Sequence, residues 1–348
     1  MTLGSLNLRQ FLDVRADEAA RIGLMAAFLF FLLAANNVIK IVRDSLFLSR
    51  FPITQLPYVY LLAALVAATV ISIYSRYTSR FSFSQVVFGS HAFIIGSLMI
   101  FGFLLFSFDF GWVLYAFYMW SAVVGLVAVA QFWTLTNDMF NPREGKRLFG
   151  ILTAAGTLGG MAGGLGANWA VYFLFGTKQL LWLIAALFAG AFGVAWYAVR
   201  ERETVLGANQ RGDIPPREVP ARDTDGVVRT LYNSRYLQLI AALIFLSVIV
   251  STLIDYQFKA AAKEAYRSTD ALAGFFGSYY AWLSVITVLA QVLLTGRLLM
   301  GLGLTPSLLV LPFTLFAGSI GLLIWPGLFA ATATRLAEAS LRTSVNHS

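Results

Sequence analysis

The sequence predicts an all-α fold: a polytopic bundle of transmembrane helices, six in a first half and about four in an incomplete second half. Three observations predict it. Hydrophobic residues make up 59% of the 348 and charged residues only 12%. Apolar runs repeatedly reach the roughly 20 residues that cross a bilayer core. One long segment, Arg200 to Arg235, breaks the pattern with Pro215, Pro216, Pro220 and charges of both signs. With no cysteine, the chain has neither a disulfide framework nor a thiolate site. The net charge of +8 reads as basic loops on one side of a membrane, not as a nucleic-acid surface.

Met1 to Arg21 is too charged for the apolar core of a cleavable signal and reads as an amphipathic arm on the membrane surface. The apolar runs then place spans at Ile22 to Ile39, Pro57 to Ser75, Phe83 to Phe106, Gly111 to Asn137, Leu148 to Phe175 and Leu180 to Val199. The polar segment 200–235 has no helical apolar period and reads as a linker between two units, 1–199 and 236–348. Beyond it, spans are expected at Tyr236 to Gln257, Leu272 to Leu294 and Thr305 to Ile324. A last apolar run, Gly327 to about Leu341, is either a tenth span or an interfacial helix.

Lysine and arginine number 16 on the side of the N-terminus and the linker, against 7 on the other. That bias predicts a cytoplasmic N-terminus and a cytoplasmic linker. Six spans, a long linker and further spans is the outline of the major facilitator architecture, with parallel repeats around a midplane site. In the fifth span Gly156, Gly159, Gly160, Gly163, Gly164 and Gly166 recur every three or four residues, which lets neighbouring backbones approach closely.

Three stretches carry polar chemistry. At the end of the first span, in NNVIKIVRDSLFLSR, residues Asn36, Lys40 and Arg43 share one helical face, with Asp44 one turn beyond Lys40. A charged stripe of this kind belongs against a water-filled cavity, as an anion site made by Lys40 and Arg43. The alternative is a surface pair of Lys40 with Asp44, with Arg43 snorkelling. At the end of the seventh span Ser251, Asp255, Lys259 and Lys263 are spaced by four; either they complete the same site from the equivalent helix of the second repeat, or Asp255 and Lys259 form a structural pair. The loop after the fourth span, Asn137, Asp138, Arg143, Glu144, Lys146 and Arg147 around Pro142, is either a gate made of ion pairs or an anchor of the topology.

Other chemistry is unsupported. GTLGGMAGG lacks the Lys-Ser/Thr of a phosphate loop and follows no strand. The two histidines, His91 and His347, have no metal-ligand spacing, so no metal, cofactor or enzymatic activity is expected.

FWTLTNDMF, then EGKRLFGIL and a Gly-rich span, resembles the FW-x-x-x-N and E-x-K-R region of the ATP/ADP translocase family, the nucleotide exchangers of intracellular bacteria and plastids. VRDSLFLS and DYQFKAAA look like the same family, and the likeness runs from Arg21 to the C-terminus. The resemblance implies a major-facilitator-like carrier that exchanges ATP/ADP-like anions across a bacterial inner membrane without hydrolysing them. It implies substrate binding by Lys40, Arg43, Asn137, Asp255 and Lys259, and gating by Asp44, Glu144, Lys146 and Arg147. Phe132 and Trp133 match the same motif, and Tyr115, Tyr118, Trp120 and Trp133 are aromatic candidates for an adenine platform or for core packing.

Two departures stand beside it: Gly111 to Asn137 holds no charged residue where the exchangers carry an acid, and the family continues past RLAEASLRTSVNHS with two further spans. Three readings follow from the residues. A nucleotide exchanger requires Lys40, Arg43 and Lys259 to converge on one cavity. A facilitator of another substrate, proton-coupled through Asp255, requires that carboxylate to titrate inside the membrane. A non-transporting membrane subunit requires the stripes to be neutralised locally with no cavity.

Overall fold

The computed structural model describes residues 18–78, 81–173, 176–209, 234–290, 318, 320 and 327–346. These hold nine long helices and no strand. They are α1 (Ala19–Arg50), α2 (Leu56–Thr78), α3 (Phe83–Ser107), α4 (Gly111–Met139), α5 (Pro142–Phe173), α6 (Leu180–Asn209), α7 (Arg235–Ala265), α8 (Thr269–Ala290) and α9 (Leu328–Asn346). The first eight are long and apolar enough to cross a membrane. Every expected span within the described residues has its helix, but four helix ends extend well beyond the expected bounds. α5 begins at Pro142, six residues before Leu148, and α7 runs on from Gln257 to Ala265. α1 continues past Ile39 to Arg50, because no Gly or Pro interrupts the chain before Pro52. α6 runs on from Val199 to Asn209. The expected ninth span, Thr305 to Ile324, lies almost wholly outside the described residues, as do the amphipathic arm and most of the linker.

Local signals set several helix starts. Ser82 accepts a bond from the Gln85 amide at 3.3 Å, and the Gln85 side chain accepts from the Ser82 amide at 3.1 Å, a capping box that opens α3. Before α5, Asn141 is followed by Pro142 at the first helical position, and Glu144 Oε2 accepts from the Asn141 amide at 2.9 Å. Ser234 caps α7 by accepting from the Leu237 amide at 3.4 Å.

The core is built around α1, which packs on α4, α5, α6 and α8. Its inward residues Met25, Phe28, Leu32, Val38, Ile41 and Val42 are buried, and Phe132 of α4 packs against Phe28. α5 lies between α1 and α8, and its glycines make both contacts. A Cβ on Gly159 would stand 2.2 Å from the Phe30 carbonyl oxygen of α1, and one on Gly163 would stand 2.5 Å from that of Ala34. On the other side, a Cβ on Gly164 would stand 2.7 Å from the Ala281 amide of α8. Helices in lipid gain little from burying apolar surface against one another, so close backbone packing of this kind carries the association.

α7 is held differently. It touches α1 and α8 only slightly and packs chiefly on α9, which also packs on α8. The Leu, Ile and Phe side chains of its first half face outward, as they should toward lipid. The last apolar run forms α9, which is not apolar enough to qualify as a span and buries Ala331, Thr334, Glu338 and Ser340 against its neighbours.

Replacing Gly159 or Gly163 by Ala is expected to destabilise the bundle by about 1–3 kcal/mol, the usual cost of overpacking a tight contact. Gly166→Ala is the control, because a Cβ there meets nothing within 4 Å. Melting temperatures of the purified variants in one detergent check this. Equal melting for all three would show that the glycine contacts do not hold the helices.

Candidate functional site

About two thirds of the way along α1 and α7, both helices turn charged side chains toward each other. On α1 the guanidinium of Arg43 lies against the neighbouring Asp44, with Nε to Oδ1 at 2.8 Å and the terminal nitrogen to Oδ2 at 3.1 Å. On α7 the Lys259 ammonium reaches Asp255 at 2.9 Å and also crosses to Asp44 at 3.1 Å. Asp44 is 1% exposed and Lys259 is 4% exposed at the side chain, so this tie between the two halves of the chain is shielded from solvent. Pairs removed from water interact far more strongly than surface pairs, provided every charge finds a partner.

α9 supplies the rest. Arg335 pairs with Asp255 Oδ1 at 2.9 Å and with Glu338, and Ser251 donates to Glu338 Oε1 at 2.8 Å. Tyr60 of α2 donates to Asp255 Oδ2 at 2.6 Å and accepts from Lys259 at 3.3 Å. One network thus joins α1, α2, α7 and α9.

The network forms one wall of a cavity of about 580 Å³, within the roughly 300–1,000 Å³ of ordinary ligand pockets. Lys40, Arg43, Asp255, Lys259, Arg335 and Glu338 line it together with Tyr60, Tyr118, Tyr279 and Tyr280. Arg43 lies over the Tyr118 ring at 4.3 Å from its centre, and the Lys40 ammonium is 5.8 Å from that of Tyr280. Lys40 has no carboxylate within ion-pair distance among the described residues, although Asp44 is one turn away. Asp44 is engaged by Arg43 and Lys259 instead. The arrangement therefore offers four cations and four aromatic rings to an anionic, ring-bearing ligand.

The structure brings Lys40, Arg43, Asp255 and Lys259 to this cavity, with Asp44 beneath them. Asn137 is elsewhere, exposed near the end of α4 and absent from the cavity lining. Asp44, expected at a gate, is a buried member of the inter-helix network. Glu144 caps α5; the side chains of Lys146 and Arg147 lie outside the described ones. Lys263 turns away from the cavity and donates to the Phe51 carbonyl. Among the aromatic candidates only Tyr118 faces the cavity. Tyr115 donates to Gln55, Trp120 donates to Ser97, and Trp133 packs on Phe132 and Phe149.

Sequence reasoning missed Tyr60, Tyr279, Tyr280, Arg335 and Glu338. The i, i+3 spacing of Arg335 and Glu338 on an otherwise small-residue helix was a legible signal of an ion pair. Nothing in the spacing pointed that helix at α7.

Among the described residues eight helices are long and apolar enough to cross a membrane, and α1, α2, α4, α7, α8 and α9 line a charged cavity, which defines a polytopic membrane protein of the transporter class. Residues 108–343, more than half of the chain, match the family described as TLC ATP/ADP transporter, and the chain belongs to that family. The ADP,ATP carrier protein 4 of Rickettsia conorii (strain ATCC VR-613 / Malish 7) is 32% identical over 90 residues. That stretch covers 26% of this chain and 17% of the relative.

Asp44→Ala strands the Arg43 guanidinium and cuts the tie to α7, so it is expected to lower stability by about 3 kcal/mol or more. Adding Arg43→Met to it should restore part of the loss. Asp109→Ala, at an exposed pair with Arg50 of 3.3 Å, should change stability little. Thermal unfolding of the four proteins reads this out. Equal effects at Asp44 and Asp109 would contradict the buried tie.

Proposed function

We propose that the protein is a carrier that exchanges nucleotides, ATP/ADP-like anions, across a bacterial inner membrane by alternating access. The observation that carries the reading is the convergence of Lys40 and Arg43 from α1, Lys259 from α7 and Arg335 from α9 on one cavity. Phosphate oxygens need paired cations when they leave water, and tyrosine faces suit a nucleobase. The family supports nucleotides as the cargo, and the relative is itself described as an ADP,ATP carrier protein.

In this reading the units 1–199 and 236–348 are the two major-facilitator-like halves, with the cytoplasmic linker 200–235 between them and the N-terminus also cytoplasmic. The basic loops on that side support the orientation. Lys40, Arg43, Lys259 and Asp255 bind substrate, whereas Asn137 does so only if another state brings it inward. When the cavity is empty, Asp44, Asp255 and Glu338 occupy the cations; an entering phosphate competes with those carboxylates. Such competition links substrate arrival to loosening of the tie between halves, which is what an exchanger needs. A proton-coupled facilitator is less well supported, because Asp255 is already engaged by Lys259, Arg335 and Tyr60. A non-transporting scaffold would not retain a cavity at the meeting point of its charges.

In proteoliposomes, labelled ATP or ADP uptake is expected to depend on unlabelled nucleotide inside. Lys40→Gln should reduce it about tenfold or more while leaving the melting temperature nearly unchanged, because Lys40 has no ion pair among the described residues to lose. Uptake unaltered by Lys40→Gln, or absence of any nucleotide uptake by folded protein, would refute the reading.

A further inference from the structure

Away from the charged cavity, the two halves are joined a second time around the α7–α8 turn, residues 266–268. α5 and α8 run antiparallel and meet at steps of about one turn. A Cβ on Gly160 would stand 3.1 Å from the Ser284 hydroxyl oxygen, and one on Gly164 would stand 2.7 Å from the Ala281 amide nitrogen. Asn168 then donates to the Gly274 carbonyl at 2.9 Å and to the Ser278 hydroxyl. At the end of the line Thr177, between α5 and α6, donates through its amide and its hydroxyl to Asp270 Oδ1, both at 2.7 Å. On the other side of the same turn, Lys263 in the last turn of α7 donates to the Phe51 carbonyl at the end of α1. One short hairpin therefore carries two bonds to the first half. α7 starts at the linker and crosses the membrane, so this hairpin lies on the side opposite the linker.

These contacts differ in kind from the tie at Lys259. That ammonium is shielded from solvent, whereas Asp270 is exposed, and its bonds to Thr177 can be exchanged for bonds to water at little cost. The helix faces behind them meet through Gly160, Gly164, Gly277 and Ala281, small residues that can part or slide without unlocking large side chains. Lys263 is one turn beyond Lys259, so the helix that carries the buried tie also carries the outer bond.

We infer that Asp270 and Lys263 are the latch of a gate on the side of the membrane opposite the linker. With both bonds made, that side of the cavity is shut; it opens when the α7–α8 hairpin lets go of Thr177 and of the Phe51 carbonyl. The inference rests on alternating access between the two halves, as proposed above, and locates one of its two gates. Gly176 belongs to the latch. Its φ of 124° is one that L side chains rarely adopt, and a Cβ there would stand 3.4 Å from both Asp270 carboxylate oxygens.

The test is access to the cavity from outside. With Ala122→Cys as the reporter in the cavity wall of a chain that has no cysteine, spheroplasts of an expressing bacterium are treated with a membrane-impermeant maleimide. Asp270→Ala and Lys263→Met are each expected to raise labelling about fivefold or more. Thr177→Val removes one of two donors while keeping the shape, and should raise it less. Asp109→Ala is the control: it breaks the exposed pair with Arg50 within the first half and should leave labelling unchanged. In a second arm, Thr177→Cys and Asp270→Cys are joined by a short bifunctional thiosulfonate, which should arrest exchange in liposomes until reductant is added. The latch falls if folded Asp270→Ala and Lys263→Met label as slowly as wild type, if Asp109→Ala labels as fast as they do, or if the cross-linked protein exchanges at the full rate. Labelling needs no nucleotide, so failure of all nucleotide exchange would refute the substrate reading while the labelling result still decides the latch.

Discussion

The Lys259 ammonium, lodged between Asp44 of α1 and Asp255 of its own helix, is the interaction on which the rest of the structure depends. α7 has little direct packing on the first half, so this buried ion pair and the α9 contacts hold it in place. It also decides the state of the other charges. Because Lys259 and Arg43 occupy Asp44, Lys40 is left facing the cavity. Because Lys259 takes one oxygen of Asp255, Arg335 takes the other, and that brings α9 and Glu338 to the wall.

The glycine seam complements it. α5 presents Gly159 and Gly163 to α1 and Gly164 to α8, so three helices meet with backbone against backbone. A second polar contact sits at the turn between α5 and α6. There Gly176 adopts a left-handed φ of 124°, and the following Thr177 donates through both its amide and its hydroxyl to Asp270 at the start of α8, each at 2.7 Å. A seam of small residues without interlocked large side chains suits sliding of packed helices. The ion network is the part that an anion can compete for.

Much of this was legible in the sequence, for physical reasons. A stripe of Asn36, Lys40 and Arg43 on an apolar helix announces a polar surface, because its burial against lipid is expensive. The spacing of Ser251, Asp255 and Lys259 announces another. Local spacing left two alternatives open at Lys40, an anion site with Arg43 or a pair with Asp44 one turn away; in the structure Asp44 is held by Arg43 and by a lysine on a distant helix. Which partner wins is set by tertiary packing that spacing does not encode. The tyrosines were illegible for a related reason. Tyr118 and Tyr115 are three residues apart on one helix, yet one lines the cavity and the other bonds Gln55. Arg335 and Glu338 sit on a short run that the sequence leaves open as a tenth span or an interfacial helix, and only its packing against α7 and α8 gives them a role.

The most direct measurement uses the absence of cysteine from the chain. A single cysteine at Ala122, which lines the cavity, would be labelled with a water-soluble maleimide, with and without nucleotide. A cysteine at Ala260, in the separate groove between α7 and α9, serves as the comparison. If the cavity is the nucleotide site, labelling at 122 is rapid and is slowed severalfold by nucleotide, while labelling at 260 is unaffected. A site at 122 that labels equally fast at saturating AMP, ADP and ATP would contradict the account.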